Sequence, residues 1–482
     1  MIVMKFGGTS VGSAERVRQA AAIVEAQPAP RAVVVSAASG VTNLLLAAAG
    51  AAAAGDGSSR QSAVATVRAK HAEVLAWVTE ERERLAAQAR LDQLHAALDD
   101  RLEEVASAAI CDAQRSDAIV ATGEKAMSVL MAATLRSRGT PAVDVWADRV
   151  IATDDRHGNA RPQRERTREQ AASLVPGLEA GVTVVLTGFI GGAPDGSTTT
   201  LGRGGSDYSA TLLGAALDAA EVQIWTDVPG VLTADPRQVA DARVVPHISY
   251  DEAQELAHFG AKVLHPRTIR PAVARGIPVR ILSTFAPDEP GTLVTQEASG
   301  DHVKAVTVLK DLLVLTIDVP ELEDLAGVSA QVFAALHRQR IEIAAVSQAS
   351  SRRRMTYLVD ATSQGGCVTV GALLDDALAD NDVEADVRCE EGVALVAAVG
   401  HGGAAQSSAL ARMLDVLHRA GVAVLSSSLH DSNVALTAAV PAHQADRAVL
   451  ALHEALIKPQ PAAGKGRRRR RSELLAESMR VG

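Results

Sequence analysis

Short β-branched strands that end in glycine-containing turns recur through the first 285 residues of this 482-residue chain. The first runs from Met1 to Phe6 and passes directly into Gly7 and Gly8, and the next runs from Arg31 to Ser36. Two strands separated by a helix-length segment form a βαβ unit, which is the building block of a parallel sheet. The pattern predicts an α/β fold whose ligands bind at the carboxyl ends of the strands.

The same pattern returns after a long helical insertion. Residues 57–135 are charged and alanine-rich, and Gly and Pro are absent between Ser58 and Thr122, which indicates helices packed on the sheet. Further strands are predicted at Val182 to Gly192, Val222 to Gly230 and Ile277 to Ser283. The sequence therefore predicts an open, mainly parallel sheet with helices on both faces.

The C-terminal part contains a weak internal repeat. Each copy reads strand, helix, strand and then a further strand, and the second copy is followed by a closing helix. We interpret this order as the βαββαβ pattern of ferredoxin-like domains. We therefore expect an α/β domain over residues 1–297 with a helical insert at about 57–135, ferredoxin-like domains over 304–380 and 388–457, and a basic tail over 460–482.

Net charge and cysteine spacing argue against nucleic-acid binding by the folded body, a disulfide framework and a zinc site. The net charge of −9 argues against nucleic-acid binding by the folded body. The tail is the exception, because Arg467 to Arg471 follow Lys465; this run predicts a solvated segment or a contact with a polyanion or a membrane surface. Cys111, Cys367 and Cys389 are far apart in sequence, so we expect neither a disulfide framework nor a zinc site.

The apolar residues of the chain are distributed as in a protein that does not enter a membrane. No run of 18 apolar residues occurs, which argues against a transmembrane helix. The first residues read as a strand and a glycine turn rather than as a signal peptide. We expect a cytoplasmic protein.

The segment Lys5-Phe6-Gly7-Gly8-Thr9-Ser10 is the first candidate for phosphate chemistry. Two glycines let backbone N–H groups approach a phosphate closely, and the helix that follows presents its positive N-terminus. A lysine beside that turn can reach a transferring phosphoryl group. An ordinary strand-to-helix turn remains the alternative.

The segment Leu201 to Tyr208, LGRGGSDY, is unusual for a core segment. Arg203 offers a planar fork that matches a carboxylate or a phosphate. Asp207 lies at a predicted helix start, where it can be an N-cap, a site residue or both. Thr226 and Asp227 end a buried strand and can face a nucleotide, although a simple turn would have the same composition.

Seven motifs occur in a fixed order along residues 1–457. They read KFGGTS, VSAASGVTNLLL, TGEKAMSVLMAATL, TGFIGG, TTTLGRGGSDYSA, IWTDVPGVLTADPR and FGAKVLHPRT. Together they closely resemble the aspartate kinases of the amino-acid kinase superfamily. The resemblance implies an amino-acid-kinase-like sheet and transfer of the γ-phosphoryl group of ATP, with Mg²⁺, to the side-chain carboxylate of L-aspartate, which starts lysine, threonine and methionine biosynthesis.

The same resemblance implies residue roles. The residues implied to contact the transferring phosphoryl group and the nucleotide are Lys5, Gly7, Gly8, Thr9, Ser10, Thr226, Asp227, Arg237, Lys262 and Val263. The residues implied to contact aspartate are Ser36, Thr42, Glu124, Arg203 and Ser206. The catalytic residues are Lys5, Asp207 and Lys262, and no dedicated protein metal site is expected. One departure is Leu232, where the family often has Tyr, so adenine or ribose contacts there are weaker or apolar.

The implied chemistry suits these residue types. The nucleophile is a carboxylate whose ordinary pKa is about 3.9, so it is ionised at neutral pH and needs no general base. Charge neutralisation and in-line positioning are needed instead, and lysines, an arginine and Mg²⁺ can supply them.

The C-terminal repeats resemble ACT domains, which bind amino acids and help to form dimers. In that family they imply feedback by threonine or lysine and a homodimer or higher oligomer. Gly327, Gln348 and Ser350 match the implied effector site. The acidic residues that lysine-sensitive members place around this strand and loop are missing, and Ala344 and Ala349 lie nearby in sequence. This favours threonine over lysine, and an insensitive site is the alternative.

Other readings stay open at this point. A kinase for glutamate or its N-acetyl derivative would share the core motifs, although such chains typically lack the helical insert and the paired repeat. An amino-acid sensor with a decayed kinase core is a non-enzymatic alternative, and the intact motifs around Lys5, Glu124, Arg203 and Asp207 argue against it. A chain derived from a once-fused enzyme is a third.

Overall fold

The computed structural model describes residues 1–457 with short internal gaps. The gaps are at 262–265, 298–299, 301, 321–323, 350–352, 361–364, 381–382, 401–405 and 430–433. The chain divides into two compact units, one of residues 1–236 and 240–299 and the other of residues 237–239 and 300 onwards. The predicted tail at 460–482 lies outside the described residues.

The first unit is built on an eight-stranded sheet and a small hairpin. Its strands are β1 (Ile2–Phe6), β2 (Arg31–Val35), β3 (Ala142–Val145), β4 (Thr183–Thr187), β5 (Ile190–Gly192), β6 (Thr198–Thr200), β7 (Glu221–Thr226), β8 (His247–Ser249), β9 (Val279–Ser283) and β10 (Thr292–Thr295). The sheet order is β3-β4-β2-β1-β7-β9-β10-β8, and β5 pairs with β6 in the hairpin.

The sheet is parallel except for its last two strands, β10 and β8, which are parallel to each other and antiparallel to the rest. β1 lies between β2 and β7 and is parallel to both, whereas β10 is antiparallel to β9. Val33, Val34 and Val35 are fully buried. Burial on both faces explains why these strands read as continuous β-branched runs. The predicted mainly parallel α/β sheet is confirmed.

Helices cover the sheet. They are α1 (Ala14–Ala26), α2 (Val41–Ala53), α3 (Gly57–Leu75), α4 (Glu81–Ala108), α5 (Ala113–Ser137), α6 (Arg164–Ala171), α7 (Val175–Glu179), α8 (Gly205–Ala216), α9 (Tyr250–His258) and α10 (Pro266–Val273). The predicted helical insert corresponds to α3, α4 and α5. On α4, Leu91, Leu98 and Leu102 recur at helical spacing and are buried in the core.

Helix α5 is the central helix of the first unit. It is long and apolar enough to cross a membrane by length and composition, but 89% of its most apolar 18-residue window is buried inside the protein. Asp112 caps its N-terminus by accepting a hydrogen bond from the backbone N–H of Arg115. Because α5 is rigid and buried, the side chains that it carries have well-defined positions.

The second unit holds the predicted repeat. Its elements are β11 (Ala305–Asp318), α11 (Leu325–Arg338), β12 (Glu342–Ala349), β13 (Arg354–Asp360), α12 (Gly366–Ala379), β14 (Asp386–Val399), α13 (Gln406–Arg419), β15 (Ser426–Leu429), β16 (Ala435–Pro441) and α14 (Ala445–Leu456). They form one six-stranded sheet in the order β12-β13-β11-β14-β16-β15. The ferredoxin-like character predicted for this part is confirmed.

Two long strands are shared between the halves of this sheet. Residues 313–318 of β11 pair with β13, and residues 393–399 of β14 pair with β16. β11 and β14 pair with each other along most of their length. The expected boundary between the two domains, at residues 380 to 388, lies beside the start of β14. Because β11 and β14 pair with each other, the two halves share one continuous sheet and are not two separate consecutive domains.

The absence of disulfides expected from the cysteine spacing is wrong for one pair. Cys367 Sγ and Cys389 Sγ are joined in a disulfide, while Cys111 carries a free thiol. Cys367 lies in the first turn of α12 and Cys389 on β14, and the fold packs these two elements together. A separation of 22 residues in sequence therefore does not exclude contact in space.

Candidate active site

A cavity of about 610 Å³ opens at the carboxyl ends of β1 and β2. It is lined by Lys5, Gly8, Ser36, Ala37, Ala38, Ser39, Gly40, Thr42, Asn43, Glu124, Phe189, Gly202, Arg203, Gly204, Gly205, Ser206 and Asp207. The five residues predicted to contact aspartate therefore lie around one cavity, together with Lys5, Gly8 and Asp207. This is the edge of a parallel sheet at which ligands are expected.

Lys5 and Asp207 form an ion pair in the lining of the cavity. Lys5 Nζ lies 2.6 Å from Asp207 Oδ1, and the two side chains are 10% and 18% exposed. Asp207 is the third residue of α8, whose N-cap is Gly204, so it does not cap this helix. The carboxylate pairs with the lysine instead, so the alternative that Asp207 is only a helix N-cap does not hold.

The glycines after β1 let two chain segments approach closely. A Cβ on Gly8 would lie 2.9 Å from the carbonyl oxygen of Ala37, and a Cβ on Gly7 would lie 3.3 Å from Lys5 Nζ. Any side chain at position 8 would displace the turn after β2. The two glycines thus keep the lysine amine and the backbone of this turn accessible.

Glu124 is a buried acid with one uncommitted oxygen. Its Oε1 accepts a hydrogen bond of 3.1 Å from the backbone N–H of Ala37. Its Oε2 is buried and has no hydrogen-bond partner in the described part of the chain. Burial raises the pKa of Glu124 from 4.5 to about 8, with the Ala37 hydrogen bond opposing the rise. A cationic ligand group beside Oε2 would compensate this cost.

Arg203 projects from the loop before α8. Gly202 and Gly204 both have positive φ angles, 76° and 71°, which glycine adopts without strain. The Arg203 side chain is exposed, and it lines the same cavity as the buried Glu124. A cavity that contains both a carboxyl group and a guanidinium group suits a zwitterionic ligand.

The residues predicted to contact the nucleotide are less well grouped. Thr226 ends β7 beside β1, and Asp227 follows it at the surface. Thr9 is exposed, whereas Ser10 is fully buried and hydrogen-bonds the Trp225 carbonyl and Thr284. Lys262 and Val263 lie outside the described residues, and Arg237 belongs to the second compact unit.

The cavity also contains residues that the sequence did not single out. Phe189, Ser39 and Asn43 line it. Phe189 has a φ of 68°, and its N–H donates to Ser209 Oγ at 3.0 Å. A non-glycine residue in the left-handed region next to a ligand cavity is an indicator of a functional site, but φ cannot be read from sequence.

A magnesium–nucleotide complex fits these residues. The described residues contain no group of three or more His, Cys, Asp and Glu side chains placed to hold a metal ion. Mg²⁺ commonly keeps several waters and is bound by substrate phosphates with one or two carboxylates. Asp207 fits this pattern, because its Oδ1 pairs with Lys5 but accepts no well-aligned hydrogen bond within the described chain.

Comparison with known families gives two matches. A model described as "Amino acid kinase family" matches residues 1–283. A model described as "ACT domain" matches residues 321–369.

Similar whole proteins span almost the full chain. Lysine-sensitive aspartokinase 3 of Escherichia coli is 35% identical over 466 residues, which cover 95% of this chain and 99% of the relative. The structure of E. coli aspartokinase III with aspartate and ADP (R-state) has a TM-score of 0.80 at 32% identity, covering 95% of this chain and 100% of that one. The same enzyme with lysine and aspartate (T-state) gives 0.78 at 33% identity, with the same coverage.

Proposed function

This chain belongs to the amino acid kinase family as an aspartokinase, and from that premise we propose which of its residues carry the reaction. The enzyme transfers a phosphoryl group from ATP to aspartate, and its ACT domains provide feedback regulation by an amino acid. In our proposal, aspartate binds in the cavity between Glu124 and Arg203, and Lys5 lies at the point of transfer.

The observation that carries the proposal is the uncommitted Oε2 of Glu124 inside the same cavity as Arg203 and Lys5. Glu124 would bind the α-ammonium group of aspartate, and Arg203 the α-carboxylate. Ser36, Thr42 and Ser206 are three of the hydroxyl-bearing residues that line the same cavity, and they would complete the contacts with the substrate.

Phosphoryl transfer then depends on charge and alignment. The β-carboxylate of aspartate is ionised at neutral pH, so the protein does not have to remove a proton. Lys5 Nζ would stabilise the charge that builds up on the transferring group, and Asp207 holds that amine in place. Mg²⁺ bound with ATP would add positive charge at the phosphates. We assign Lys262 the same catalytic role as Lys5 from sequence resemblance alone.

The nucleotide would bind on the β7 side of Lys5. Gly7, Gly8 and Thr9 offer backbone groups to the phosphates, and Thr226 and Asp227 follow at the end of the neighbouring strand. Ser10 would act indirectly, because its buried hydroxyl joins β1 to β7 and β9. We assign Arg237 and Val263 to the nucleotide from sequence resemblance alone, and Leu232 would contribute an apolar contact.

Separate binding measurements test this assignment. Isothermal titration calorimetry with aspartate and with MgADP should show that Arg203→Ala weakens aspartate binding at least ~10-fold and leaves MgADP binding nearly unchanged. Asp227→Ala should weaken MgADP binding and leave aspartate binding nearly unchanged. Equal loss of affinity for both ligands in both variants would mean that aspartate and nucleotide are not bound by separate groups of residues as proposed.

For the effector we propose threonine rather than lysine. Ala344 and Ala349 on β12 supply no carboxylate for a lysine ammonium group. Gly327 lies in the first turn of α11, where Asp324 caps the helix, and Gln348 is exposed on β12; Ser350 lies outside the described residues. The relative described as lysine-sensitive makes lysine the competing candidate. Measuring the rate of phosphoryl transfer with threonine and with lysine added decides between the two effectors. Inhibition by lysine alone would refute the proposal.

We also propose a cytoplasmic homodimer or higher oligomer. Strands β12 and β15 are the outer strands of the six-stranded sheet, and an outer strand can pair with a second copy of the chain. Light scattering coupled to size-exclusion chromatography measures the mass directly, and a monomer at micromolar concentration would refute this part.

A further inference from the structure

Asp117 is a buried acid that the proposed reaction does not use. It lies on α5 and is 3% exposed. Its Oδ1 accepts from Thr200 Oγ1 at 2.6 Å. Its Oδ2 accepts from three nitrogens: Thr200 N at 3.0 Å, Gly158 N at 2.9 Å and His157 Nδ1 at 3.1 Å. These four donors compensate the cost of burying the carboxylate, and a fully satisfied polar network of this kind fixes the positions of its members.

The donors belong to two segments at the base of the Arg203 loop. Thr200 is the last residue of β6, three positions before Arg203. The neighbouring segment is tied to it, because Ala160 N–H donates to the Thr200 carbonyl at 2.8 Å. The same segment contacts the loop itself: a Cβ on Gly202 would lie 2.8 Å from Asn159 Oδ1. Asp117 therefore holds the point from which the loop starts.

The hairpin that ends at Thr200 is flanked by residues that line the cavity, Phe189 before it and Gly202 after it. Leu201 N–H donates to the Phe189 carbonyl at 2.8 Å, which closes the hairpin where Phe189 lines the cavity. The start of β6 is held separately, since Thr198 Oγ1 donates to Asp148 Oδ2 at 2.9 Å. Loss of the Asp117 contacts would thus loosen the end of β6 that leads to Arg203 and leave the other end in place.

Helix α5 also carries Glu124, seven positions after Asp117. Seven residues are about two helical turns, so both acids lie on the same side of α5. Glu124 holds the turn after β2 through the Ala37 N–H, and Asp117 holds the Arg203 loop. One rigid helix therefore determines the distance between the two groups proposed to bind the ends of aspartate.

We propose that Asp117 is a positioning residue for aspartate: through Thr200 it places Arg203 relative to Glu124. The proposal rests on the proposed aspartate site. Its effect is confined to the amino-acid substrate, because the strands proposed to bind the nucleotide make no contact with Asp117 among the hydrogen bonds of the described residues.

Three variants separate positioning from general stability. Asp117→Ala removes all four contacts. Asp117→Asn is the conservative replacement, because its carbonyl can accept the three N–H donors and its NH₂ can donate to Thr200 Oγ1. Asp112→Ala is the matched control, since it removes the N-cap of the same helix without touching the hairpin. Initial rates give the KM for aspartate and for MgATP, and thermal melts give stability.

Asp117→Ala should raise the aspartate KM by roughly 10- to 100-fold, with the MgATP KM within about threefold of wild type, because small displacements of a binding group have effects of this size. Asp117→Asn should return the aspartate KM to within about fivefold, and Asp112→Ala should lower only the melting temperature. If Asp117→Ala does not fold, Thr200→Val, which removes the 2.6 Å contact alone, should raise the aspartate KM and Thr200→Ser should restore it.

Two outcomes overturn the proposal. An unchanged aspartate KM in Asp117→Ala refutes it, and so does an equal rise in both KM values. Absence of aspartate-dependent product in the wild-type enzyme would instead refute the proposed function, and this proposal with it. Because the wild type is measured first, the two failures are distinguishable.

Discussion

Replacement of Glu124 by glutamine is predicted to remove the pH dependence of aspartate binding. Glutamine has the same shape, and its carbonyl can still accept the 3.1 Å hydrogen bond from the Ala37 N–H. It cannot ionise, so it cannot offer a negative charge to an α-ammonium group. The single change therefore tests the charge of Glu124 while the contact with the turn after β2 is kept.

The magnitude follows from the environment of the carboxyl group. Burial raises the pKa of Glu124 to about 8, so the free enzyme holds this acid largely protonated at neutral pH. Only the ionised form pairs with an ammonium group, so the aspartate KM of the wild type should rise about tenfold as the pH falls from 7 to 6. Near pH 8.5, loss of a charge-assisted contact worth about 1.5–3 kcal/mol should raise the KM of Glu124→Gln by about 10- to 150-fold.

The free energy of unfolding should depend on pH in the opposite direction to aspartate binding: raising the pH should strengthen binding and lower the stability of the wild type. The unfolded chain loses the Glu124 proton near pH 4.5, whereas the folded protein keeps it until about pH 8. The stabilisation from this raised pKa is therefore complete below pH 4.5 and is lost as the pH rises through 8. A shift from 4.5 to about 8 corresponds to roughly 5 kcal/mol, so Glu124→Gln should unfold at a higher temperature than wild type at pH 8 and at a similar one near pH 4.5.

The assay is a series of aspartate KM values between pH 6 and 8.5 for wild type, Glu124→Gln and a control. Glu104→Gln is a suitable control, because Glu104 is exposed on α4. The control should follow the wild-type profile, and Glu124→Gln should give a flat one. A Glu124→Gln profile with the wild-type slope would show that another group titrates, and the assignment of the ammonium contact would fail.

Further expectations concern the site, the disulfide and the tail. Lys5→Ala should lower kcat at least ~100-fold in steady-state assays, whereas Arg203→Ala should mainly raise the aspartate KM; full rate with unchanged KM in both would refute the site. Cys367→Ser should lower the free energy of unfolding of the regulatory unit by about 3 kcal/mol in denaturant titrations, and dithiothreitol should do the same to wild type but not to the variant. Deletion of residues 461–482 should leave kcat unchanged, and a large loss would show that the tail takes part in catalysis.

Sequence patterns predicted the mainly parallel sheet and several residues of the cavity, but not the strands β3, β8 and β10. Strands β1 and β2 read directly as β-branched runs because both of their faces are buried. Lys5 lies near the end of β1 and Ser36 directly follows β2, and the carboxyl ends of neighbouring parallel strands meet at one edge of the sheet. Local composition thus predicted a long-range arrangement.

What the sequence could not supply depends on tertiary contacts. Ser10 belongs to the KFGGTS motif, yet its hydroxyl is used between strands, because a motif does not state which way each side chain points. Asp117 carries no local signal, since its four donors come from segments 40 or more residues away. The pairing of Cys367 with Cys389 likewise depends on how α12 packs on β14.

The most direct test of the central claim is phosphoryl transfer by the purified full-length protein with MgATP, trapping the acyl phosphate as a hydroxamate. We predict product with aspartate and none with glutamate, and less product when the effector amino acid is added. Product with glutamate but not aspartate, or none with either amino acid while MgADP still binds, would contradict the assignment of this cavity to aspartate.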